Sequence, residues 1–169
     1  MKNILIISAT SKSNYNLSKD IGGICEKLGA SVDIISLEDY MLPLYTDQVY
    51  KQNKNDYANT IREISKFLLH SKGIVICGPE YNGSIHPIIT NMIAWISVST
   101  ENWRDAFSNK IALIGTSSGG MANRFTISMR IQLEHLGSVV MPRTINVSKS
   151  NPLNKESANK ILKQFVELL

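Results

Sequence analysis

The sequence has few cysteines and no long apolar run, and both absences limit what the protein can be. Only two cysteines occur among the 169 residues, Cys25 and Cys77. Two cysteines provide neither a disulfide framework nor a cysteine-rich zinc site. No window approaches the ~18 apolar residues that a membrane-spanning helix needs. The short apolar run near the N-terminus is followed by no small-residue cleavage site, so it predicts a first strand and not a signal peptide. We therefore expect a soluble cytoplasmic protein with no membrane partner.

Aromatic residues are also scarce, and the positive charge is spread out. Aromatic side chains make up 7% of the chain, whose formal net charge is +4. A surface for nucleic acid would need clustered basic residues with aromatic residues between them. The basic residues after Pro142 are instead scattered along the sequence: Arg143, Lys149, Lys155, Lys160 and Lys163. We therefore predict no nucleic-acid partner, although a mildly basic surface would attract small anionic ligands.

What the sequence does contain is a regular alternation of apolar runs and helix-length segments. Runs rich in Ile and Val predict strands at Asn3–Ser8, Val32–Leu37, Ile74–Gly78, Lys110–Gly115 and, broken by Pro142, Val139–Val147. Nearly continuous apolar runs are typical of strands buried on both faces of a parallel sheet. Helices are predicted between and after them at Asn14–Leu28, Asp56–Leu69, Pro87–Val98, Asn123–Leu136 and Glu156–Leu168. The segment Glu38–Asn55 is a long connection for which the sequence predicts no conformation.

Five strands alternating with five helices predict one α/β domain over residues 1–169. Right-handed crossovers favour a three-layer, doubly wound sandwich with a five-stranded parallel sheet of order 2-1-3-4-5. In such sheets ligands bind beyond the carboxyl ends of the strands, where the strand order reverses. Here that point lies between the first and third strands. The loops expected to form a site are Ser8–Asn16, Pro79–Ser84 and Thr116–Met121.

The first of these loops has the composition of an anion site. It reads SATSKSNYN and contains neither the G-x-G-x-x-G nor the G-x-x-x-x-G-K phosphate motif. It does place hydroxyl and amide groups just before a helix, at Ser8, Thr10, Ser11, Ser13, Asn14 and Asn16. Such groups, the helix dipole and Lys12 together favour an anion. Helix capping within a polar loop is the alternative. The position at the point of strand reversal favours the anion site.

The second loop, PEYNGS, is suited to a flat ligand. Pro79 restricts one backbone angle and Gly83 permits an unusual one, so the loop between them can hold its N–H groups in set directions. Tyr81 offers a flat face, and Asn82 offers both a donor and an acceptor. Glu80 has no carboxylate or histidine close to it in sequence that would make an acid–base pair. These features favour a planar heterocycle, and a simple turn with an exposed tyrosine is the alternative.

The same loop carries a resemblance to a known family. PEYNGS followed by I-x-PIITNMI-x-W (Ile85–Trp95) resembles the flavin signature of the NAD(P)H-dependent FMN reductases. That family has a flavodoxin-like fold and includes azo-dye, quinone and chromate reductases. The resemblance extends over nearly the whole chain, with Tyr15-Asn16 in the first loop and MRIQLEHLGSVVMP (Met129–Pro142) around the last strand. The P-E-Y-N motif is its specific part.

The resemblance implies FMN as the cofactor and NADPH or NADH as the co-substrate. The FMN phosphate would lie in the first loop, and the isoalloxazine ring would lie along the second loop with its polar edge at Ser117. The cofactor-binding residues implied in the first loop are Ala9, Thr10, Ser11, Lys12, Ser13, Asn14, Tyr15 and Asn16. Those implied in the second are Pro79, Glu80, Tyr81, Asn82 and Gly83. Hydride would pass from nicotinamide to flavin, and electrons would then pass to a flavin, quinone, azo or metal-oxyanion acceptor. No side chain need act as acid or base, no metal is implied, and a homodimer or homotetramer is expected.

The chain departs from the family pattern in the first loop. The family usually has G-S-x-R followed by S-x-N, whereas these positions are Ser8, Ala9, Ser11, Asn14 and Asn16 here. An arginine–phosphate contact is charge-assisted and often bidentate. Because Ser11 provides only a neutral hydroxyl, we expect FMN to bind reversibly. The other departures are His86 before Pro87, Ala94 before Trp95, and Ala122-Asn123 in place of a glycine pair.

Two other function classes share features with this sequence. Gly115–Gly119 fits the G-x-S-x-G elbow of serine hydrolases, with Ser117 as the nucleophile. The only later histidine, His135, lies far down the fourth helix, on the order of 20 Å from its start. A catalytic base must lie within roughly 3 Å, so this geometry excludes the hydrolase. The other class is a flavodoxin-like electron carrier or binding domain with weak or lost FMN. Electron carriers of this shape tend to be acidic, whereas this chain has a net charge of +4. The binding domain is kept as an alternative.

Overall fold

The computed structural model describes residues 2–169 and contains eight strands and six α-helices in that range. The strands are β1 (Asn3–Ser8), β2 (Ser31–Ser36), β3 (Gly73–Cys77), β4 (Glu80–Tyr81), β5 (Ser84–Ile85), β6 (Ile111–Ser117), β7 (Val139–Val140) and β8 (Ile145–Val147). The helices are α1 (Ser13–Lys27), α2 (Asp47–Asn53), α3 (Ala58–His70), α4 (Pro87–Ser97), α5 (Asn123–His135) and α6 (Lys155–Glu167). A short 3₁₀ helix, Leu37–Asp39, follows β2.

A parallel sheet divides the molecule into three layers. Its order is β2-β1-β3-β6-β7, and β8 also pairs with β6. Successive side chains of a strand point to opposite faces, so Leu5 and Ile7 pack against α3, α4 and α5, whereas Ile4 and Ile6 pack against α1 and α6. Both faces of the sheet are therefore buried. This confirms the predicted doubly wound, flavodoxin-like α/β fold.

The fifth predicted strand is divided in two, which corrects the predicted strand count from five to six in the main sheet. β7 pairs with the start of β6, at Ile111 and Ala112. β8 pairs with the end of β6, from Gly115 to Ser117. The interruption contains Pro142, which has no N–H group to donate to a neighbouring strand. Both pieces lie beside β6, so the predicted spatial order is kept.

The connection Glu38–Asn55 contains a helix that the sequence did not predict. Thr46 caps α2 by accepting a hydrogen bond from the Val49 N–H at 3.1 Å. Ahead of this helix, the side chains of Asn91 and Trp95 on α4 donate to the Pro43 carbonyl at 3.0 and 2.8 Å. The course of the connection is therefore set by contacts with α4, more than 40 residues along the chain, and not by local sequence.

Within residues 2–169, no helix has the length and apolar character needed to cross a membrane.

Candidate functional site

Three loops meet at the carboxyl ends of β1, β3 and β6. The Ala9 N–H donates to the Cys77 carbonyl at 2.8 Å, which joins the first loop to the end of β3. The Glu80 N–H donates to the Ser118 hydroxyl at 2.7 Å, which joins the second loop to the loop after β6. The structure thus brings the two predicted halves of the site together at the point where the strand order reverses.

Ser11 is the residue of the first loop whose donors converge on an anion. Its backbone N–H donates to Oε2 of Glu38 at 2.7 Å, and its hydroxyl donates to the same oxygen. These hydrogen bonds hold the pKa of the Glu38 carboxyl below its usual range, and the nearby Lys12 and His86 lower it further. A charged oxygen therefore occupies the position at which the Ser11 donors point.

The side chain of Asn14, an implied cofactor-binding residue, is bonded within the protein. Its side chain is buried and bonds both backbone groups of Ser117: Oδ1 accepts from the N–H at 2.8 Å, and Nδ2 donates to the carbonyl at 3.0 Å. The amide therefore fixes the first turn of α1 against the end of β6. Both bonds are made by the backbone of Ser117, and its side-chain hydroxyl takes no part in them.

The remaining residues of the first loop differ in exposure. Ala9 is fully buried beneath the loop, and the Thr10 carbonyl accepts a hydrogen bond from the Ser8 hydroxyl at 2.7 Å. Tyr15 is half-buried, with the Lys19 ammonium 5.3 Å from its ring centroid. The side chains that remain exposed to solvent are those of Ser11, Lys12, Ser13 and Asn16.

The PEYNGS segment contains a β-hairpin with a two-residue turn. Glu80–Tyr81 pairs antiparallel with Ser84–Ile85. The two turn residues, Asn82 and Gly83, have φ of 48° and 72°. Positive φ at both central positions is the signature of a type I′ turn, which strongly prefers Asn-Gly. The hairpin holds Tyr81 outward, 51% exposed, with its ring centroid 4.3 Å from that of His86.

Glu80 has a structural contact that its sequence context did not reveal. Its Oε2 accepts from the N–H groups of Arg124 and Phe125, at 3.0 and 3.1 Å, in the first turn of α5. The residue before that helix, Ala122, has φ of 52° and makes no side-chain cap. Glu80 therefore replaces the missing local cap and ties the hairpin to α5.

Two residues beside the predicted site were not predicted as part of it. His86 caps α4 through Nδ1, which accepts from the Ile88 N–H at 3.3 Å. Burial lowers the pKa of His86, and the Glu38 carboxylate partly opposes that effect. His86 had a signal in the sequence, since it is one of the departures from the family pattern. No signal in the sequence pointed to Glu38. It lies 27 residues from Ser11 in the chain, and only the pairing of β1 with β2 brings the two together.

Comparison with known proteins identifies the family. The model of the NADPH-dependent FMN reductases matches residues 1–152. The chain belongs to this family. Its membership confirms the family predicted from the P-E-Y-N motif. The family's description names NADPH and FMN, the co-substrate and cofactor that the resemblance implied.

Individual relatives of this FMN reductase family member are distant. A protein of Mycoplasma pneumoniae, described as an uncharacterized homolog of MG342, is 24% identical over 110 residues, which are 65% of this chain and 63% of that protein. The chain thus matches less than two thirds of the length of that relative. The flavoenzyme FerB of Paracoccus denitrificans, an NAD(P)H:acceptor oxidoreductase, has a TM-score of 0.74 at 22% identity over 99% of this chain and 94% of FerB. Flavodoxin 1 of Bacillus cereus has a TM-score of 0.64 at 14% identity over 100% and 99%. At such identities these structures establish the shared fold.

The residues present fit a flavin phosphate and ring. The Ser11 N–H and hydroxyl already bind an oxyanion, that of Glu38, so this loop has the donors that a phosphate needs. Tyr81 is exposed, and a Cβ added at Gly119 or Gly120 would meet nothing within 4 Å, so other parts of the chain cover neither Tyr81 nor these two glycines. Within residues 2–169 there is no group of three or more His, Cys, Asp or Glu side chains placed to hold a metal ion.

Proposed function

We propose that the protein is an FMN-containing oxidoreductase that takes hydride equivalents from NADPH or NADH and passes electrons to a small acceptor. Suitable acceptors are a free flavin, a quinone, an azo compound or a metal oxyanion. The observation that carries the proposal is the meeting of an anion-binding loop at Ser11 with the outward Tyr81 hairpin, in a chain of the FMN reductase family. Residues 1–169 would form one FMN-binding domain.

In this proposal the protein supplies binding and orientation. Ser11 would hold the phosphate through its N–H and hydroxyl, assisted by the positive end of the α1 dipole and by Lys12. Backbone groups of Glu80 to Asn82 would face the ring, and the Ser117 hydroxyl its polar edge. Asn14 keeps Ser117 in place through its two backbone bonds. FMN, when bound, supplies the hydride and electron chemistry. No side chain of the site is needed as an acid or base.

The experiment is a visible spectrum of the purified protein followed by an activity assay. We expect a two-band flavin spectrum, under-loaded at first and increasing on addition of FMN. NADPH and NADH should each be tested with quinone, azo-dye, chromate and free flavin as acceptors. Oxidation of a nicotinamide that depends on added FMN supports the proposal. A flavin-bound protein that oxidises neither nicotinamide would contradict the enzymatic activity.

A non-catalytic binding domain with weak or lost FMN is the second candidate. It is favoured by one observation, the Glu38 carboxylate at Ser11 where a phosphate would be held. A colourless protein whose spectrum and fluorescence ignore added FMN would establish this second function in place of the first.

A hydrolase using Ser117 can be tested in the same preparation. The structure places His135 in the last turn of α5, with its ring 5.4 Å from that of Trp103. We expect Ser117→Ala to leave nicotinamide oxidation within about tenfold, since one neutral hydrogen bond is worth roughly 1 kcal/mol. If the wild type cleaves model esters and Ser117→Ala does not, the exclusion of a hydrolase is wrong.

We also propose a homodimer or homotetramer in the cytoplasm. The support is an exposed apolar pair on α5, with Ile127 59% and Ile131 62% exposed. Light scattering during size-exclusion chromatography tests the oligomer, and a monomer at micromolar concentration would contradict it.

A further inference from the structure

The position of Glu38 has a consequence for flavin selection. Glu38 lies in the 3₁₀ helix after β2, and its Oε2 receives both donors of Ser11. Two donors converging on one oxygen define an anion-binding position at the start of α1. The chain fills this position with its own carboxylate.

A phosphate and a carboxylate cannot both accept these hydrogen bonds. Each N–H or O–H donor makes a good hydrogen bond to only one acceptor at a time. Two negative groups that shared the same donors would also lie close enough to repel each other. The family places an arginine where this chain has Ser11, whereas here the neutral Ser11 leaves Lys12 as the neighbouring cation in the loop. The carboxylate is therefore poorly compensated when a dianionic phosphate approaches.

We propose that Glu38 is a specificity-determining residue that competes with the phosphate of FMN for Ser11. FMN must displace this carboxylate, whereas riboflavin, which has no phosphate, need not. Glu38 therefore narrows the preference of the site for FMN over riboflavin. This inference rests on the proposed function, since it assumes that the hairpin and the first loop hold a flavin.

The Glu38 carboxylate is in the charged form that competition requires. Hydrogen bonds from the Ser11 hydroxyl and N–H lower its pKa, and Lys12 and His86 act in the same direction. The side chain is exposed, so it can leave Ser11 for solvent without disrupting the core. A phosphate can therefore displace the Glu38 carboxylate, but the displacement costs the two hydrogen bonds between Glu38 and Ser11.

The test is a titration of FMN and riboflavin into the full chain, freed of flavin by dialysis, at fixed ionic strength. The variants are Glu38→Gln and, as a matched control, Asp39→Asn, which removes the same charge from the next residue of the same 3₁₀ helix. Asp39 is exposed, and the hydrogen bonds of Ser11 go to Glu38 and not to Asp39. Flavin fluorescence quenching gives both dissociation constants, and inorganic phosphate serves as a competitor.

We expect Glu38→Gln to bind FMN about tenfold more tightly or better, which corresponds to the loss of one competing hydrogen-bonded charge. Riboflavin affinity should stay within about twofold, and Asp39→Asn should match the wild type for both flavins. Inorganic phosphate should displace FMN from Glu38→Gln at lower concentration than from the wild type. Glu38→Ala, with its circular dichroism checked, repeats the measurement without a side-chain amide.

The outcomes separate this inference from the proposed function. If wild type and both Glu38 variants bind FMN equally, the competition is wrong while the flavin site stands. An equal gain for FMN and riboflavin would also overturn it, because Glu38 would then act on the ring or the fold. If no variant binds either flavin, the proposed function fails and this inference fails with it.

Discussion

At the residue scale, the site divides into side chains that hold the protein together and side chains that are free to meet a ligand. Asn14 and Glu80 belong to the first group, because their polar atoms are bonded to Ser117 and to the start of α5. Tyr81 and Asn82 belong to the second, since both are exposed and held outward by the hairpin. The sequence predicted that the loops after β1, β3 and β6 come together. It did not predict this division, because the bonding partners of Asn14 and Glu80 lie 44 to 103 residues away.

The arginine missing from the first loop supports a prediction at this scale. We expect Ser11→Arg to tighten FMN binding by about 1.5–3 kcal/mol, since a hydrogen bond to a charged group is worth that much. This is roughly a tenfold to hundredfold fall in Kd. Part of the gain would come from neutralising Glu38, which Ser11 contacts. Titration of both flavins into wild type and variant is the measurement.

Ser31→Arg is the control for this prediction, because it adds the same charge to an exposed position at the start of β2, at the opposite end of the sheet. Riboflavin should gain almost nothing from Ser11→Arg. Equal gains for the two flavins, or an equal gain from Ser31→Arg, would show that Ser11 does not face the phosphate.

At the element scale, patterns in the sequence located the long elements well. β1 was predicted with its observed bounds, and α6 begins one residue before its predicted start at Glu156. The PEYNGS hairpin was not predicted as a hairpin, because strands of two residues are too short to show an alternating pattern. α2 was missed because contacts with α4 position the chain ahead of it.

The hairpin turn predicts how FMN binding depends on Asn82. Alanine at φ of 48° is strained, whereas glycine accepts that angle and also lacks the amide. We expect Asn82→Gly to weaken FMN through loss of the side chain, and Asn82→Ala to weaken it further through the turn. Tyr81→Ala combined with Asn82→Gly should weaken it most, with unchanged far-UV circular dichroism. Unchanged FMN affinity in that double variant would contradict the placement of the ring.

The cap on α5 predicts a loss of stability in Glu80→Ala. Two N–H groups in the first turn of the helix would lose their acceptor. Loss of a helix cap costs about 0.5–2 kcal/mol, and we expect the free energy of unfolding to fall by that amount. Urea unfolding of the flavin-free protein measures it. Glu101→Ala, at an exposed site, is the control. A fall of equal size in both variants would show that the cap contributes nothing.

At the scale of the whole molecule, a general rule predicts the position of the candidate site. The order 2-1-3-4-5 places its opening between the first and third strands, and the structure has its converging loops there. The rule says where a ligand binds but not which charges converge there. Glu38, Lys12 and His86 come from three segments separated in sequence, and only the folded sheet brings them together. The lowered pKa values of Glu38 and His86 therefore arise only in the folded molecule.

These charges predict that acid destabilises the flavin-free protein in two steps. Burial lowers the pKa of His86, so the unfolded chain binds its proton more readily than the folded chain below about pH 6.5. Stability therefore falls as pH drops below that value. The pKa of Glu38 is lowered too, and the stability it contributes is present above its unfolded pKa near 4.5 and lost as pH falls through its folded pKa.

Urea unfolding between pH 7.5 and 3.5 separates the two steps by substitution. His86→Asn keeps a residue suited to capping α4 but cannot titrate, so the loss of stability as pH falls below about 6.5 should become smaller. Glu38→Gln should abolish the step below about pH 4.5. It should also deepen the first step, because the carboxylate that partly restores the pKa of His86 is gone. A first step unchanged in His86→Asn would mean that another group controls it, and an unchanged first step in Glu38→Gln would mean that the two residues are not coupled.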